Sequence, residues 1–377
     1  MHRKVTTLAL AALLLAGCAV REQETTTASG DLASALPDPA GPVAYTGPDL
    51  IGRTTGDWDV TVVSDDLVYP WEVRLAGENL VVTELDGTIA MIGAGGRLTR
   101  HRVGTSDPVV RDGGSGLMGL ALARDFADSG TAYVYYTHAT DSGLTNRIAE
   151  LAFDGDNWTE RRVLLDGIPG HQFYNGGRLA VGPDGHLYAT TGWVEDDSVS
   201  QDRGSLAGKI LRLRTDGSIP PDNPDPDSYV YSSGHRNPQG LAWDAEGRLW
   251  SAEHGQSGND EINQIVAGGN YGWPLIEGDE GRDGMRAPHL HSGTNAWAPS
   301  GMAFAGDDLL LTALGDQTLY VLNGSDRTLE PVFSSGERAR AVLPYRDGVY
   351  VTSTNTSPRA AGQSGEADRL LWIRPRS

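Results

Sequence analysis

The chain has 377 residues, with 30 Lys and Arg against 50 Asp and Glu; the formal charge of −20 argues against a broad phosphate-binding face and so against nucleic acid as a partner. Forty-nine glycines and 20 prolines beside 39% hydrophobic residues fit a turn-rich globular protein with a large core, not a helical bundle or a disordered chain. One cysteine excludes both an intramolecular disulfide framework and a thiolate metal site.

In chain order, Arg3 and Lys4 precede the apolar run from Val5 to Leu15, which ends in Leu15-Ala16-Gly17-Cys18. A basic end, an apolar stretch too short to span a bilayer, and small residues before a cysteine form a lipobox. Residues 1–17 are therefore predicted to be a cleaved signal peptide, and Cys18 the lipidated first residue of the mature protein. Residues 18–48 are rich in Thr, Ser, Ala, Pro and Gly without periodicity, so they read as a flexible tether. The chain is then expected outside the cytoplasm, bound to the cell membrane through its lipid alone. Once Lys4 is removed Lys209 is the only lysine, which reads as a compositional bias toward arginine.

From residue 49 one unit returns: an apolar strand, a short Gly/Asp turn, and a second apolar strand of β-formers. Six copies stand out. Their turns and second strands are Gly77-Glu78-Asn79 with LVVTEL, Asp128-Ser129-Gly130 with AYVYYTH, Pro183-Asp184-Gly185 with LYATTG, Ala245-Glu246-Gly247 with LWSAEH, Gly306-Asp307-Asp308 with LLLTAL, and Arg346-Asp347-Gly348 with VYVTST. The spacing, roughly 40 to 60 residues, is that of four-stranded propeller blades. Six units exceed what a two-sheet sandwich holds. An all-β, six-bladed β-propeller over 49–377 is predicted, with functional residues on the loops around its central channel.

Three loops carry more polar groups than a hairpin needs: 171–179 (HQFYNGGRL), 234–240 (GHRNPQG) and 253–261 (EHGQSGNDE), the last leading to Asn270-Tyr271-Gly272-Trp273-Pro274. Glu253, Asp260 and Glu261 with free backbone carbonyls offer the hard oxygen donors that calcium takes, while a solvated acidic loop is the plainer alternative in so acidic a chain. His289 and His291 lack a third ligand and helical spacing for zinc. Arg236, Arg338 and Arg340 suit an anionic ligand through paired guanidinium hydrogen bonds, and alternation along a strand puts Arg338 and Arg340 on one face. Arg178 reads as a structural tie for the glycine turn beside it. No Gly-rich phosphate loop opens a helix, so nucleotides are not expected.

Over 49–375 the chain resembles the soluble pyrroloquinoline quinone (PQQ)-dependent sugar dehydrogenases, the glucose/sorbosone and aldose sugar dehydrogenase family. The resemblance rests on GSGLMGLALARDF (114–126), NGGRLAVGPDGHLYATTG (175–192), GKILRLRTDGSIPPDNP (208–224), GHRNPQGLAWD (234–244) and AEHGQSGNDEINQIVAGGNYGWP (252–274). GPDG and GGRL are common in propellers; HRNPQG followed by EHG, DEIN and NYGWP is specific. The resemblance implies a six-bladed propeller that moves a hydride from the anomeric carbon of an aldose to PQQ polarised by Ca²⁺, with electrons passing to an external acceptor. By the same likeness Arg236 and Asn237 would contact PQQ and the reacting oxygens, Arg338 and Arg340 would pair with its carboxylates, and the backbone oxygens of Gly255 and Gln256 would hold its calcium. Glu261 and the Tyr271 main chain match a second, structural calcium.

Three positions depart from the family pattern. Tyr174 stands where the family has its general base, a histidine four residues before the arginine of GGRL. A phenol with a pKa near 10 is a poor base at neutral pH unless Arg236 or calcium lowers it. Tyr174 as substitute base, His171 as a displaced base, and loss of the reaction all stand open. Gly315 replaces a PQQ-contacting lysine, and Gly114 a Gln or Glu. The expected activity is sugar oxidation by a tethered quinoprotein; the alternatives are a catalytically degenerate propeller lipoprotein that binds a sugar or cell-wall ligand, and a lactonase-type hydrolase, for which no distinctive constellation is present.

Overall fold

Each of the six repeated strands is the second strand of a four-stranded antiparallel sheet. The computed structural model describes residues 45–77, 79–324, 327–357 and 367–376; Cys18, the signal peptide and residues 18–44 of the predicted tether lie outside the described residues. Strand β1 (Trp58–Leu67) precedes blade 1, which holds β2 (Pro70–Ala76), β3 (Asn79–Glu84), β4 (Thr88–Ile92) and β5 (Leu98–Arg102). Blade 2 holds β6 (Leu117–Leu122), β7 (Thr131–Thr140), β8 (Gly143–Phe153) and β9 (Trp158–Pro169), and blade 3 holds β10 (Leu179–Val181), β11 (Leu187–Thr191), β12 (Lys209–Leu213) and β13 (Val230–Ser233). Blade 4 comprises β14 (Pro238–Trp243), β15 (Leu249–Glu253), β16 (Glu261–Ile265) and β17 (Leu290–His291); blade 5 comprises β18 (Pro299–Ala305), β19 (Asp308–Ala313), β20 (Thr318–Asn323) and β21 (Thr328–Ser334). Blade 6 is β22 (Ala339–Tyr345), β23 (Gly348–Ser353) and β24 (Asp368–Pro375), completed by β1.

The second strands are buried almost throughout because each lies between two neighbouring blades and is covered on both faces: β11, β15 and β23 have no residue left partly exposed, and their polar residues such as Thr190, Ser251, Glu253 and Thr352 are buried with the rest. The ring closes where β1 pairs antiparallel with β24, Trp58 opposite Pro375 and Leu67 opposite Asp368. Closure joins the two ends of the described chain in one sheet and leaves no split between blades 6 and 1. The folded part begins before the expected boundary at residue 49: Tyr45 packs against the Leu310 and Val342 cluster, and the Thr46 N–H donates to the Arg346 carbonyl. Residues 45–48 therefore belong to the propeller's surface, because an aromatic ring there finds apolar cover. Among the described residues the α-helix is confined to Phe126–Ser129, and no helix is long and apolar enough to cross a membrane.

The first strands face the axis, and all but β10 are irregular in a consistent way. Register slips occur in β2 between Pro70 and Glu72, in β6 between Leu117 and Leu120, in β14 between Pro238 and Gly240, in β18 between Pro299 and Met302, and in β22 between Ala339 and Ala341. A bulge leaves a residue out of the ladder and re-aims its side chain. Four of the residues so released, Trp71, Met118, Gln239 and Arg340, line the central cavity. Beside the bulges the blades approach so closely that a Cβ on Gly119 would lie 2.4 Å from the Gly177 carbonyl, and one on Gly301 2.9 Å from the Cα of Ala341.

Candidate functional site

All six blades contribute to one cavity of about 110 Å³ at the end of the channel where the first strands begin. Trp71, Met118, Phe173 and Leu314 give it apolar walls; Asn237, Gln239, His254, Arg338 and Arg340 supply the polar groups. The Arg340 Nη1 donates to Gln239 Oε1 at 2.7 Å and to Ser300 Oγ at 3.3 Å, and the Arg338 Nη1 donates to the Leu314 carbonyl at 3.1 Å. Arg338 precedes β22 and Arg340 sits in its bulge, so both reach the same cavity through the bulge rather than through alternation along a strand. Below them Arg178 is buried, with Nε donating to the Gln239 carbonyl at 2.6 Å, Nη1 bonded to the Glu72 carboxylate, and its guanidinium 4.2 Å from the Trp71 ring centroid. It ties blades 1, 3 and 4 at the axis, a wider role than bracing its own turn. A chain of net charge −20 thus presents guanidinium groups to its central cavity.

Arg236 lies next door and is held differently. Its guanidinium stands 4.8 Å from the ring centroid of Tyr174, 5.0 Å from that of Trp193 and 5.3 Å from that of Trp273, a three-sided aromatic cage. Nη1 donates to the carbonyls of Gly255 at 2.6 Å and His254 at 3.3 Å, while Nε is buried without a hydrogen-bond partner. Tyr174, with φ of 58°, is in the left-handed region, and its ring is a wall of that cage as well as of the cavity. His171 does not line the cavity: its Nδ1 faces the backbone of Phe173, and its Nε2 is 3.9 Å from Glu195.

A histidine that does line the cavity is His254. Its Nε2 is 2.7 Å from the Pro299 carbonyl, which only accepts, so Nε2 carries the hydrogen and Nδ1 is the accepting nitrogen. Nδ1 faces the Asn237 amide nitrogen at 3.4 Å, and the Asn237 Oδ1 accepts the Gly176 N–H at 3.0 Å. The chain of donors fixes the tautomer and aims the accepting nitrogen at Asn237. The sequence held a signal for it, a histidine inside EHG beside the predicted calcium carbonyls, but composition gave no reason to choose His254 over His171.

Behind Arg236 a cavity of about 20 Å³ is lined by Glu253, Glu261 and Glu277 with Gly255 and Tyr271. Asn263 Nδ2 bridges Glu253 Oε1 at 3.0 Å and Glu261 Oε2 at 3.1 Å. Burial, then the neighbouring Glu253 charge, pushes the Glu261 carboxyl up to about 8. Glu277 Oε1 is buried without a partner. Hard oxygen donors crowded in a space of one ion's size fit a calcium ion. Among the described residues no group of three His, Cys, Asp or Glu side chains forms a metal cage by itself, so a cation here needs backbone carbonyls as well. Asp260 stands apart from this pocket: its carboxylate accepts the N–H groups of Gly255 at 2.9 Å and Ala298 at 2.7 Å and so braces the 253–261 loop. Gln256 is exposed at the loop's surface. His289 and His291 do not converge; His289 packs edge-on against Trp250 in a peripheral hollow between blades 4 and 5.

The departures have structural reasons. A Cβ at Gly315 would meet the Ala296 carbonyl oxygen at 2.6 Å and that of Trp297 at 3.0 Å, so this backbone admits no side chain there. At Gly114 a Cβ would meet only ordinary contacts, the nearest being the Phe173 ring at 3.7 Å. Phe173 covers the space beside Gly114, and the Gly114 N–H donates to the Gln172 carbonyl at 2.8 Å.

A family model described as glucose/sorbosone dehydrogenase matches residues 67–360. The aldose sugar dehydrogenase YliI of Escherichia coli K12 is 32% identical over 358 residues, 85% of this chain and 93% of that protein. The PQQ-bound aldose sugar dehydrogenase of Streptomyces coelicolor superposes with a TM-score of 0.76 at 37% identity, covering 84% of this chain and 98% of that one. A gluconolactonase from Xanthomonas campestris reaches a TM-score of 0.50 at 14% identity over 90% of this chain and 97% of its own, a likeness of fold alone.

Proposed function

Because the chain belongs to the glucose/sorbosone dehydrogenase family, we propose that it is a PQQ- and calcium-dependent dehydrogenase that oxidises an aldose at its anomeric carbon. The observation that carries this reading is the pair Arg338 and Arg340 sharing an apolar-walled cavity with Asn237 and His254, in a protein otherwise strongly acidic. When bound, PQQ supplies a quinone carbon that takes a hydride, and calcium supplies the charge that polarises it. The chain's own residues do the rest. Arg338 and Arg340 neutralise carboxylates of the ligand, and Trp71 and Leu314 cover its rings and exclude water. The carbonyls of Gly255, which here accepts from Arg236, and Gln256 would hold the cofactor's calcium, while Glu261 and the Tyr271 main chain would hold a structural one. Arg236, locked in its aromatic cage, holds a fixed positive charge beside the Gly255 carbonyl, where oxygen becomes more negative during reaction. His254 Nδ1 would receive the proton of the anomeric hydroxyl once that hydroxyl displaces its 3.4 Å contact with the Asn237 amide. Tyr174 is left to hold Arg236 and is not the base, and His171 faces another loop.

On this reading the Cys18 lipid anchors the enzyme on the outer side of the cell membrane, and electrons pass to an external acceptor. The backbone that bars a side chain at Gly315 favours a second reading, a lipoprotein that binds a sugar or cell-wall ligand without turnover. One experiment separates them: titrate the protein with PQQ and Ca²⁺, follow the quinone absorbance, and assay dye reduction with a panel of aldoses. Saturable quinone binding with turnover is the expected result. No quinone binding at millimolar Ca²⁺ would sink the first reading.

A further inference from the structure

Lys209, the sole lysine among the described residues, opens β12 and is fully buried. Its ammonium donates to three backbone carbonyls, Val199 at 2.7 Å, Ser200 at 3.1 Å and Ala207 at 2.7 Å. Those bonds use every proton on the nitrogen, and no carboxylate makes a hydrogen bond or ion pair with it among the described residues. Three carbonyls turned toward one point repel each other and are costly to bury unsatisfied. Such a cluster is a cation site, and here the cation is covalently attached.

The carbonyls belong to the segment between β11 and β12, residues 192–208, which has no regular strand or helix. It is unusually long for a connection with no structure of its own, and Val194 and Glu195 within it sit at φ of 49° and 60°. Its other face holds the arginine cage. The Trp193 N–H donates to the Arg236 carbonyl at 2.8 Å and the Trp193 ring forms one wall around the guanidinium. The Ser200 carbonyl that binds Lys209 also accepts the Gly234 N–H at 3.0 Å, and the Ser200 hydroxyl donates to the His235 carbonyl at 2.7 Å. Gln201 reaches the Trp273 carbonyl at 2.7 Å, fixing the third wall. Everything that orients Arg236 from this side is strung on a loop that closes around one ammonium.

We propose that Lys209 is a tethered cation that shapes the 192–208 loop and thereby positions Trp193 and the 234–236 turn around Arg236. It is a positioning residue and touches no ligand. The proposal rests on the reading of Arg236 as a ligand contact only for its effect on PQQ; the effect on the tryptophans stands by itself. Lys209→Met keeps the length and removes the charge and all three donors. The folded variant is expected to lose most of the near-ultraviolet circular dichroism contributed by the Trp193–Trp273 pair, whose rings lie 5.3 Å apart and edge-on. It is also expected to bind PQQ at least 10-fold more weakly. Leu371→Ala in the blade 6 core, matched for loss of Tm, is expected to leave both readouts in place. In Lys209→Ala, propylammonium replaces the missing part of the side chain and is expected to restore the tryptophan signal, where sodium at equal ionic strength does not. Should Lys209→Met fail to fold, Ser200→Ala, which cuts only the tie to His235, is expected to diminish the same signal. A Lys209→Met protein with an unchanged tryptophan signal, or one whose losses Leu371→Ala reproduces at equal Tm, overturns the proposal. Failure of the wild type to bind PQQ would instead count against the dehydrogenase reading, with the tryptophan signal still deciding the role of Lys209.

Discussion

The two ends of the propeller differ in what they place at positive φ. At the end where first strands turn into second strands, positive φ falls on glycine in five of the six blades: Gly77, Gly130, Gly185, Gly247 and Gly306, with Arg346 the exception. At the cavity end glycines such as Gly113, Gly176, Gly177, Gly234 and Gly258 take it too, but so do Tyr69, Tyr174, Val194, Glu195, Asn259, Ala298 and Gln317, all of which carry side chains. An L-residue in that region costs about 1–2 kcal/mol, which glycine avoids. The hairpin end takes the relaxed solution; the cavity end retains strain where a side chain is needed, as at Tyr174 over Arg236. Backbone tension is therefore concentrated around the site and held by the closed ring behind it.

The largest effect is expected at the axis, where the cavity rests on the Glu72–Arg178 pair. Glu72→Ala strands a buried guanidinium and is expected to cost about 3–5 kcal/mol in denaturant unfolding; a loss near zero would show that the cavity end does not depend on its floor. Next, Arg338→Ala is expected to weaken PQQ binding about 100-fold, or about 2.7 kcal/mol, with Tm nearly unchanged. A proportional fall in Tm would mean that the arginine is structural.

Lys209 gives a pH test of the same end. Burial pushes its ammonium down to about 8 from the ordinary 10.5. Between those values the unfolded chain binds a proton that the folded chain has released, so this group's contribution makes the fold more stable as pH rises from about 8 to about 10.5. The wild type minus Lys209→Met difference in unfolding free energy is expected to show that positive slope; a flat difference would place the lysine's pKa at its ordinary value. The smallest effects compare the turns directly. Gly185→Ala, at φ of 80° with open space around it, is expected to lose about 1 kcal/mol without altering ligand binding. Val194→Gly is expected to gain about 1 kcal/mol and to weaken PQQ binding several-fold, because the relaxed loop presents Trp193 less firmly. A hairpin-end change that altered binding as much as Val194→Gly would erase the distinction between the ends.

Much of this was legible in the chain. The six second strands are where their largely apolar runs and Gly/Asp turns placed them, because a strand covered on both faces buries nearly every side chain and favours apolar ones. Arg236 of the second loop and Arg338 and Arg340 of RAR lie in neighbouring pockets at one end of the channel. Less legible were the contacts that cross from blade to blade. Lys209 read as a trace of composition, yet it is the internal cation of a 17-residue loop, from 192 to 208. Tyr174, at the position of a family histidine, left a substitute base, a displaced base at His171 and loss of the reaction all open; the guanidinium of Arg236 over its ring and the neighbouring Trp193 reveal it as a wall. The sequence pattern points to His171 and passes over His254, yet it is His254 that lines the cavity, with the Pro299 carbonyl fixing its tautomer.

By itself the sequence determined the strand content, the count of blades and the family, since these follow from local periodicity, turn chemistry and motif spacing that each segment carries alone. The tertiary structure decided how the first strand closes the last blade, which side chains the bulges turn toward the axis, and which buried charges neutralise which carbonyls. Those outcomes depend on distances between residues far apart in the chain, and such distances exist only once the ring is shut.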